Sequence, residues 1–159
     1  MKLSIIAAAL GFACPAMAAA ASLPAPVVQA DWAAHKKFVQ LPNGIRMAYV
    51  ELGNPAGEPV LLLHGYTDSS RSWSLVAPHL TKYRLLIPDQ RGHGATTAPE
   101  CCYGPFQLAY DALLLLDALG ISQAAVSGHS MGSMVAITLA AELEFQVSVG
   151  SRRFASRRI

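Results

Sequence analysis

The sequence predicts an α/β fold built on a mostly parallel sheet, and three observations predict it. Two strand patterns joined by a turn open the folded part, and strand and helix patterns alternate after them. Pro59 to Leu63 is an unbroken apolar run, as expected of a strand covered on both faces. A serine stands between two glycines in Gly128-His129-Ser130-Met131-Gly132, where a strand pattern turns directly into a helix pattern.

The elements follow in order. Lys36 to Leu41 and Ile45 to Leu52 read as strands joined by the hairpin signal Pro42-Asn43-Gly44. After the Pro59–Leu63 strand, which ends at His64-Gly65, Ser70 to Leu80 reads as a helix. Its Trp73, Val76, Ala77 and Leu80 fall at helical spacing. Tyr83 to Ile87 is the next apolar strand, stopped by Pro88-Asp89. Pro105 to Leu119 reads as a helix ended by Gly120, a residue suited to a helix C-terminus. Ala124 to Ser127 supplies a last strand, and Ser133 to Glu142 a last helix. Helices are expected on both faces of the sheet.

Composition bounds the function classes. Met1–Ala18 reads as a secretory signal peptide, with Lys2 at its start, an apolar core from Leu3 to Ala13, and small residues at Ala16-Met17-Ala18. That core of eleven residues is too short to span a bilayer, so no membrane span is expected and the destination is secreted or periplasmic. Residues 19–35 read as a flexible Ala/Pro-rich leader. Residues 36–142 form a partial domain, and residues 143–159 an atypical basic tail. Residues 19–142 carry seven Lys or Arg against nine Asp or Glu, whereas residues 143–159 carry four Arg against one Glu. The tail lacks aromatic residues interleaved for base stacking, so it reads as a solvated terminus and no nucleic-acid partner is expected. Cys101 and Cys102 have no His or Cys beside them at metal-ligand spacing, and no metal or cofactor is suggested.

The chemistry centres on Ser130. A nucleophilic serine on a sharp strand-to-helix turn needs neighbours without side chains two positions away on each side, which explains Gly128 and Gly132. The start of the following helix then offers N–H groups to a developing oxyanion.

Three motifs occur in order: His64-Gly65-Tyr66, Asp89-Gln90-Arg91-Gly92-His93-Gly94, and Gly128-His129-Ser130-Met131-Gly132. Over roughly residues 38–142 the sequence resembles α/β-hydrolase-fold proteins of the esterase, cofactor-free haloperoxidase and C–C hydrolase type. The resemblance implies that the His64 strand lies between the Tyr83 strand and the elbow strand. It implies Ser130 as the catalytic nucleophile on an ester or similar acyl substrate, with the backbone N–H groups of Tyr66 and Met131 as the oxyanion hole. His64 is implied as a support of the loop backbone and His93 as a loop brace, while His129 is expected to point into surrounding structure.

The resemblance also implies an acid and then a histidine after the nucleophile. After Ser130 the sequence offers Glu142, Glu144 and no histidine. A fold truncated after the elbow helix, with little or no hydrolase activity, is therefore the expectation. A non-catalytic remnant or binding module of the same fold is the alternative. Truncation predicts an open sheet edge and bare apolar surface. Leu143 to Val149 alternates with period two and suits a half-exposed strand.

Overall fold

The computed structural model describes the backbone of residues 31–148 and the side chains of residues 31–141. The proposed signal peptide and the arginines of the tail lie outside the described residues. Five strands form one sheet: β1 (Lys36–Gln40), β2 (Arg46–Gly53), β3 (Pro59–Leu63), β4 (Arg84–Pro88) and β5 (Ala125–Gly128). Two helices accompany them, α1 (Pro105–Ala118) and α2 (Met131–Ser148). The strand order is β1-β2-β4-β3-β5, so the strand ending at His64 does sit between β4 and β5. β2 pairs antiparallel with both β1 and β4, whereas β3 pairs parallel with β4 and β5. Four strands thus run one way and β2 opposes them. This is the mixed, mostly parallel sheet of the expected fold class.

The apolar runs are continuous because both faces of the sheet are covered. Leu61 and Leu63 of β3, Leu86 of β4, and Met47 and Tyr49 of β2 pack against Leu108, Ala112, Leu115 and Leu116 of α1 and Val135 and Leu139 of α2. Their neighbours Leu62, Leu85, Ile87 and Val50 face the other way, against Trp32 and Ala77. Successive side chains of a strand alternate faces, so a strand buried on both needs apolar residues at every position.

Local chemistry sets the ends of the elements. Gly44, at φ 88, turns the β1–β2 hairpin, and the Leu41 N–H donates to the Ile45 carbonyl at 2.8 Å. α1 begins with Pro105, whose missing N–H costs nothing at a helix start. It ends in a Schellman turn. Gly120 (φ 67) donates to the Asp117 carbonyl at 3.0 Å and Ile121 to the Leu116 carbonyl at 2.9 Å.

Three expectations are corrected. Ser70 to Leu80 is not one α-helix but two 3-10 turns, Ser70–Trp73 and Ala77–His79, held by bonds such as Ser74 N–H to Arg71 C=O at 3.0 Å. Pro78 has no N–H to donate and disfavours an α conformation at Ala77, so the chain winds tightly and resets. The leader expected over 19–35 is ordered at its end. Trp32–His35 forms a 3-10 turn whose Trp32 is buried, its indole N–H donating to Ser70 Oγ at 3.0 Å. An exposed indole would leave a large apolar surface in water, and this one covers the back of the sheet instead. Finally, residues 143–148 are not a strand, because α2 continues to Ser148. No Gly or Pro interrupts the chain before Gly150, and an existing helix propagates more easily than a new strand nucleates.

The expected bare surface is present among the described residues. β5 is the last strand in the order, with Ala125 and Ser127 exposed, and Met134 and Ile137 of α2 are exposed as well.

Candidate active site

Strand β5 meets α2 at Ser130, which sits at φ 54. Left-handed backbone is uncommon for a residue with a Cβ and costs on the order of 1–3 kcal/mol where it is held. The turn is fixed from several sides. The His129 N–H donates to the Leu63 carbonyl at 3.0 Å, tying the elbow to the end of β3, and Ser133 Oγ donates to the Gly128 carbonyl at 2.7 Å. A Cβ at Gly128 would stand 2.2 Å from the carbonyl of Gly132, and one at Gly132 would stand 2.2 Å from the Leu63 oxygen. Both contacts are with backbone, which has no room to yield. Ser130 is exposed, and its hydroxyl has no hydrogen-bond partner among the described residues.

The loop leaving β3 lies against this turn. A Cβ at Gly65 would be 2.9 Å from His129 Nδ1 and 3.4 Å from Ser130 Cβ, so the two loops meet closely and a side chain there would have to displace the His129 ring. Tyr66 follows with its ring exposed, and Thr67 is the other non-glycine described residue with positive φ, at 61. The two positive-φ residues that carry side chains therefore flank one contact. The Tyr66 and Met131 N–H groups carry no backbone hydrogen bond among the described residues. Met131 is the first residue of α2, where a helix leaves amides unpaired.

A third loop, running on from β4, supports the first two. His64 is fully buried; its Nδ1 is 2.7 Å from the Gly65 carbonyl and its Nε2 accepts from the Gln90 N–H at 2.9 Å. These partners fix the tautomer, with Nδ1–H donating to Gly65. Burial pushes the His64 pKa below its usual value, which keeps the ring neutral. Both ring nitrogens are thereby committed to the loop backbone, and neither is available as a general base. The edge of His93 meets the His64 ring at 5.1 Å between centroids and the Tyr66 ring at 6.0 Å, while its Nδ1 lies 2.9 Å from the Arg91 carbonyl. His129, expected to point into surrounding structure, is exposed, with its Nδ1 edge against Gly65. His35 and His79 are exposed.

Sequence reasoning missed two charged hubs of this loop. Asp89 is fully buried. Its Oδ1 accepts from the Ser70 N–H at 2.9 Å, and its Oδ2 accepts from the Ala95 N–H at 2.8 Å and pairs with Lys36 Nζ at 2.5 Å. Burial alone raises a carboxyl pKa, but Lys36 and the Ser70 and Ala95 donors outweigh it and hold Asp89 below its ordinary value. Gly94 is required beside it, since a Cβ there would lie 2.1 Å from Asp89 Oδ2. Arg91 forms a two-pronged pair with Asp111 of α1, Nε to Oδ2 and Nη2 to Oδ1, each at 2.7 Å. Asn43 of the hairpin turn donates to the same Oδ1 at 2.7 Å. The one sequence signal of Asp111 is its place within the apolar run of α1.

Among the described residues no cluster of three or more His, Cys, Asp or Glu is arranged to hold a metal ion. None of their helices is long and apolar enough to cross a membrane.

A strand, a strained serine and a helix, backed by a glycine-lined loop from the adjacent parallel strand, is the arrangement that resembled a known family in sequence. The family model described as the alpha/beta hydrolase fold matches residues 58–149. The chain belongs to this family. Among curated α/β-hydrolase relatives, it is 38% identical to Epoxide hydrolase A of Mycobacterium tuberculosis (strain ATCC 25618 / H37Rv) over 97 residues, which are 58% of this chain and 30% of that protein. It is 36% identical to Lipase 1 of Psychrobacter immobilis over 108 residues, 67% of this chain and 34% of that protein. The crystal structure of a hypothetical protein from Pseudomonas aeruginosa PAO1 superimposes with a TM-score of 0.66 at 35% identity, covering 69% of this chain and 39% of that one. The chain thus spans about a third of the length of the curated relatives it matches.

Proposed function

We propose that the site is built for acyl transfer through Ser130, with the backbone N–H groups of Tyr66 and Met131 as oxyanion donors. The observation that carries this reading is the strained Ser130 turn seated against Gly65, which brings the Tyr66 loop to the elbow. In the reaction Ser130 Oγ would attack the carbonyl carbon of an ester or similar acyl compound and give up its proton to a general base. The tetrahedral adduct would expel the alcohol with that proton to leave an acyl-enzyme, and water would then cleave the acyl-enzyme. Each preset oxyanion donor is worth about 2.7–4 kcal/mol in proteases where one has been removed. The lipases among the relatives agree with an ester substrate, since a serine hydroxyl suits an acyl carbonyl.

The same reading requires a general base, and the described residues beside Ser130 do not offer one. No histidine follows Ser130, the ring nitrogens of His64 are engaged, and Glu142 lies twelve residues along the chain from Ser130, about 18 Å away along the helix axis at 1.5 Å per residue. A serine without a base stays at its alcohol pKa and is a weak nucleophile; in a protease, loss of that histidine removes about 10⁶ in turnover. A binding module of the fold is the second reading, favoured by the engagement of both His64 ring nitrogens, the histidine buried beside the elbow. A fluorophosphonate probe separates the two readings. Rapid labelling of Ser130, abolished in Ser130→Ala, supports an activated nucleophile; absence of labelling in folded protein leaves the binding reading.

The same proposal has the chain exported, on the strength of Lys2, the Leu3–Ala13 core and Ala16-Met17-Ala18. A mature product beginning at Ala19 is the expected result of terminal sequencing, and an intact Met1 in the exported fraction overturns it.

A further inference from the structure

Cys101 and Cys102 lie outside the elbow chemistry. Both thiols are free and exposed. Their backbone is pinned to the supporting loop: the Cys102 carbonyl accepts from Arg91 Nη1 at 2.9 Å, and the Tyr103 hydroxyl donates to the Pro99 carbonyl. The Tyr103 ring lies over Gly92, where a Cβ would be 2.4 Å from it. Two neighbouring sulfurs are thus presented to solvent on a short segment tied down at both ends.

We propose that Cys101 and Cys102 are a redox modification site, a dithiol closed reversibly to an intrachain disulfide by exchange with a small disulfide of the glutathione type. One protein thiolate attacks the external disulfide, forming a mixed disulfide and releasing one small thiol. The second thiolate attacks the protein-bound sulfur, forms the Cys101–Cys102 bond and releases the second small thiol. Two electrons pass from the cysteines to the external disulfide, which leaves as two thiols. The second step dominates any further external reaction because the resolving sulfur is on the adjacent residue, at an effective concentration no dilute reagent matches. The bond formed is labile. Adjacent Cα atoms are closer than the roughly 4.4 Å at which unstrained disulfides begin, and strained disulfides are the readily reduced ones. The neighbouring Cys101 side chain pushes the Cys102 thiol up, and either sulfur, once ionised, leaves the other beside it to resolve the mixed disulfide.

The test needs no activity at Ser130. Folded, reduced full-length protein is incubated with oxidised glutathione, quenched in acid and digested with trypsin. The fragment between Arg91 and Arg152 carries both cysteines and excludes Cys14. The expected fragment has lost two hydrogens, carries no glutathione, and is restored by dithiothreitol. Cys102→Ser and Cys101→Ser should each stop at one glutathione on the remaining cysteine. Accumulation of glutathione on the wild-type fragment, linkage between two chains, or persistent free thiols overturns the proposal.

Discussion

His64 and Gln90 hold each other twice: the Gln90 N–H donates to His64 Nε2 at 2.9 Å, and Gln90 Nε2 donates to the His64 carbonyl at 2.7 Å. The first bond exists only while the ring is neutral. Burial keeps the folded pKa below the ordinary 6.5, so on acidification the unfolded chain takes up a proton before the native one does. The His64 contribution is therefore complete above about pH 6.5 and is lost as pH falls from there toward the folded value. Thermal unfolding at about pH 7.5 and about pH 5 checks this. Wild type should lose more of its midpoint between the two than His64→Asn does; equal losses would count against it.

Gly132 and Gly120 separate close approach from backbone freedom. Gly132→Ala puts a methyl 2.2 Å from the Leu63 carbonyl oxygen and is expected to cost about 3 kcal/mol or more, enough to lose the fold of a marginal domain. Gly120 has positive φ but nothing within 4 Å, so Gly120→Ala should cost only about 1 kcal/mol of strain. Denaturant titration of the two variants gives the contrast directly, and similar midpoints would refute it.

The Arg91–Asp111 pair is buried at both ends. Asp111→Ala strands a guanidinium and frees Asn43, with an expected loss of about 3–5 kcal/mol. Replacing both charges, as in Arg91→Met with Asp111→Leu, should recover part of that loss, because no uncompensated charge then remains. A double variant as unstable as the sum of its singles would show that the charges are not coupled.

Ser130→Gly and Ser130→Ala both remove the hydroxyl, but only glycine relieves the turn. With φ at 54, Ser130→Gly should be more stable than Ser130→Ala, by about 1 kcal/mol. Calorimetric midpoints decide it, and an alanine variant of equal stability would mean the turn stores no strain.

How far the sequence spoke depended on whether a residue's partner was local. The elbow was legible because Gly128, Ser130 and Gly132 satisfy one another within five residues, and β3 because both its faces are apolar. The parallel neighbours of β3 followed from motif order. The Asp89 network was not legible, since its partners Lys36, Ser70 and Ala95 are far apart in the chain and none has an unusual composition around it. Helical spacing over Ser70–Leu80 picked out Trp73, Ala77 and Leu80, which pack on the core, and Val76, which is exposed, because Pro78 decided the winding. The alternation in residues 143–148 was too short to tell one side of a helix from one side of a strand.

Trp32 sets a limit on how the chain can be trimmed. Its indole closes the back of the sheet and is bonded to Ser70, whose own N–H rests on Asp89 in the loop that follows β4. A cut just after Trp32 would uncover Leu62 and Ile87 and remove the indole that holds Ser70. One aromatic ring thus fixes where the packed body of the sheet begins on its back face.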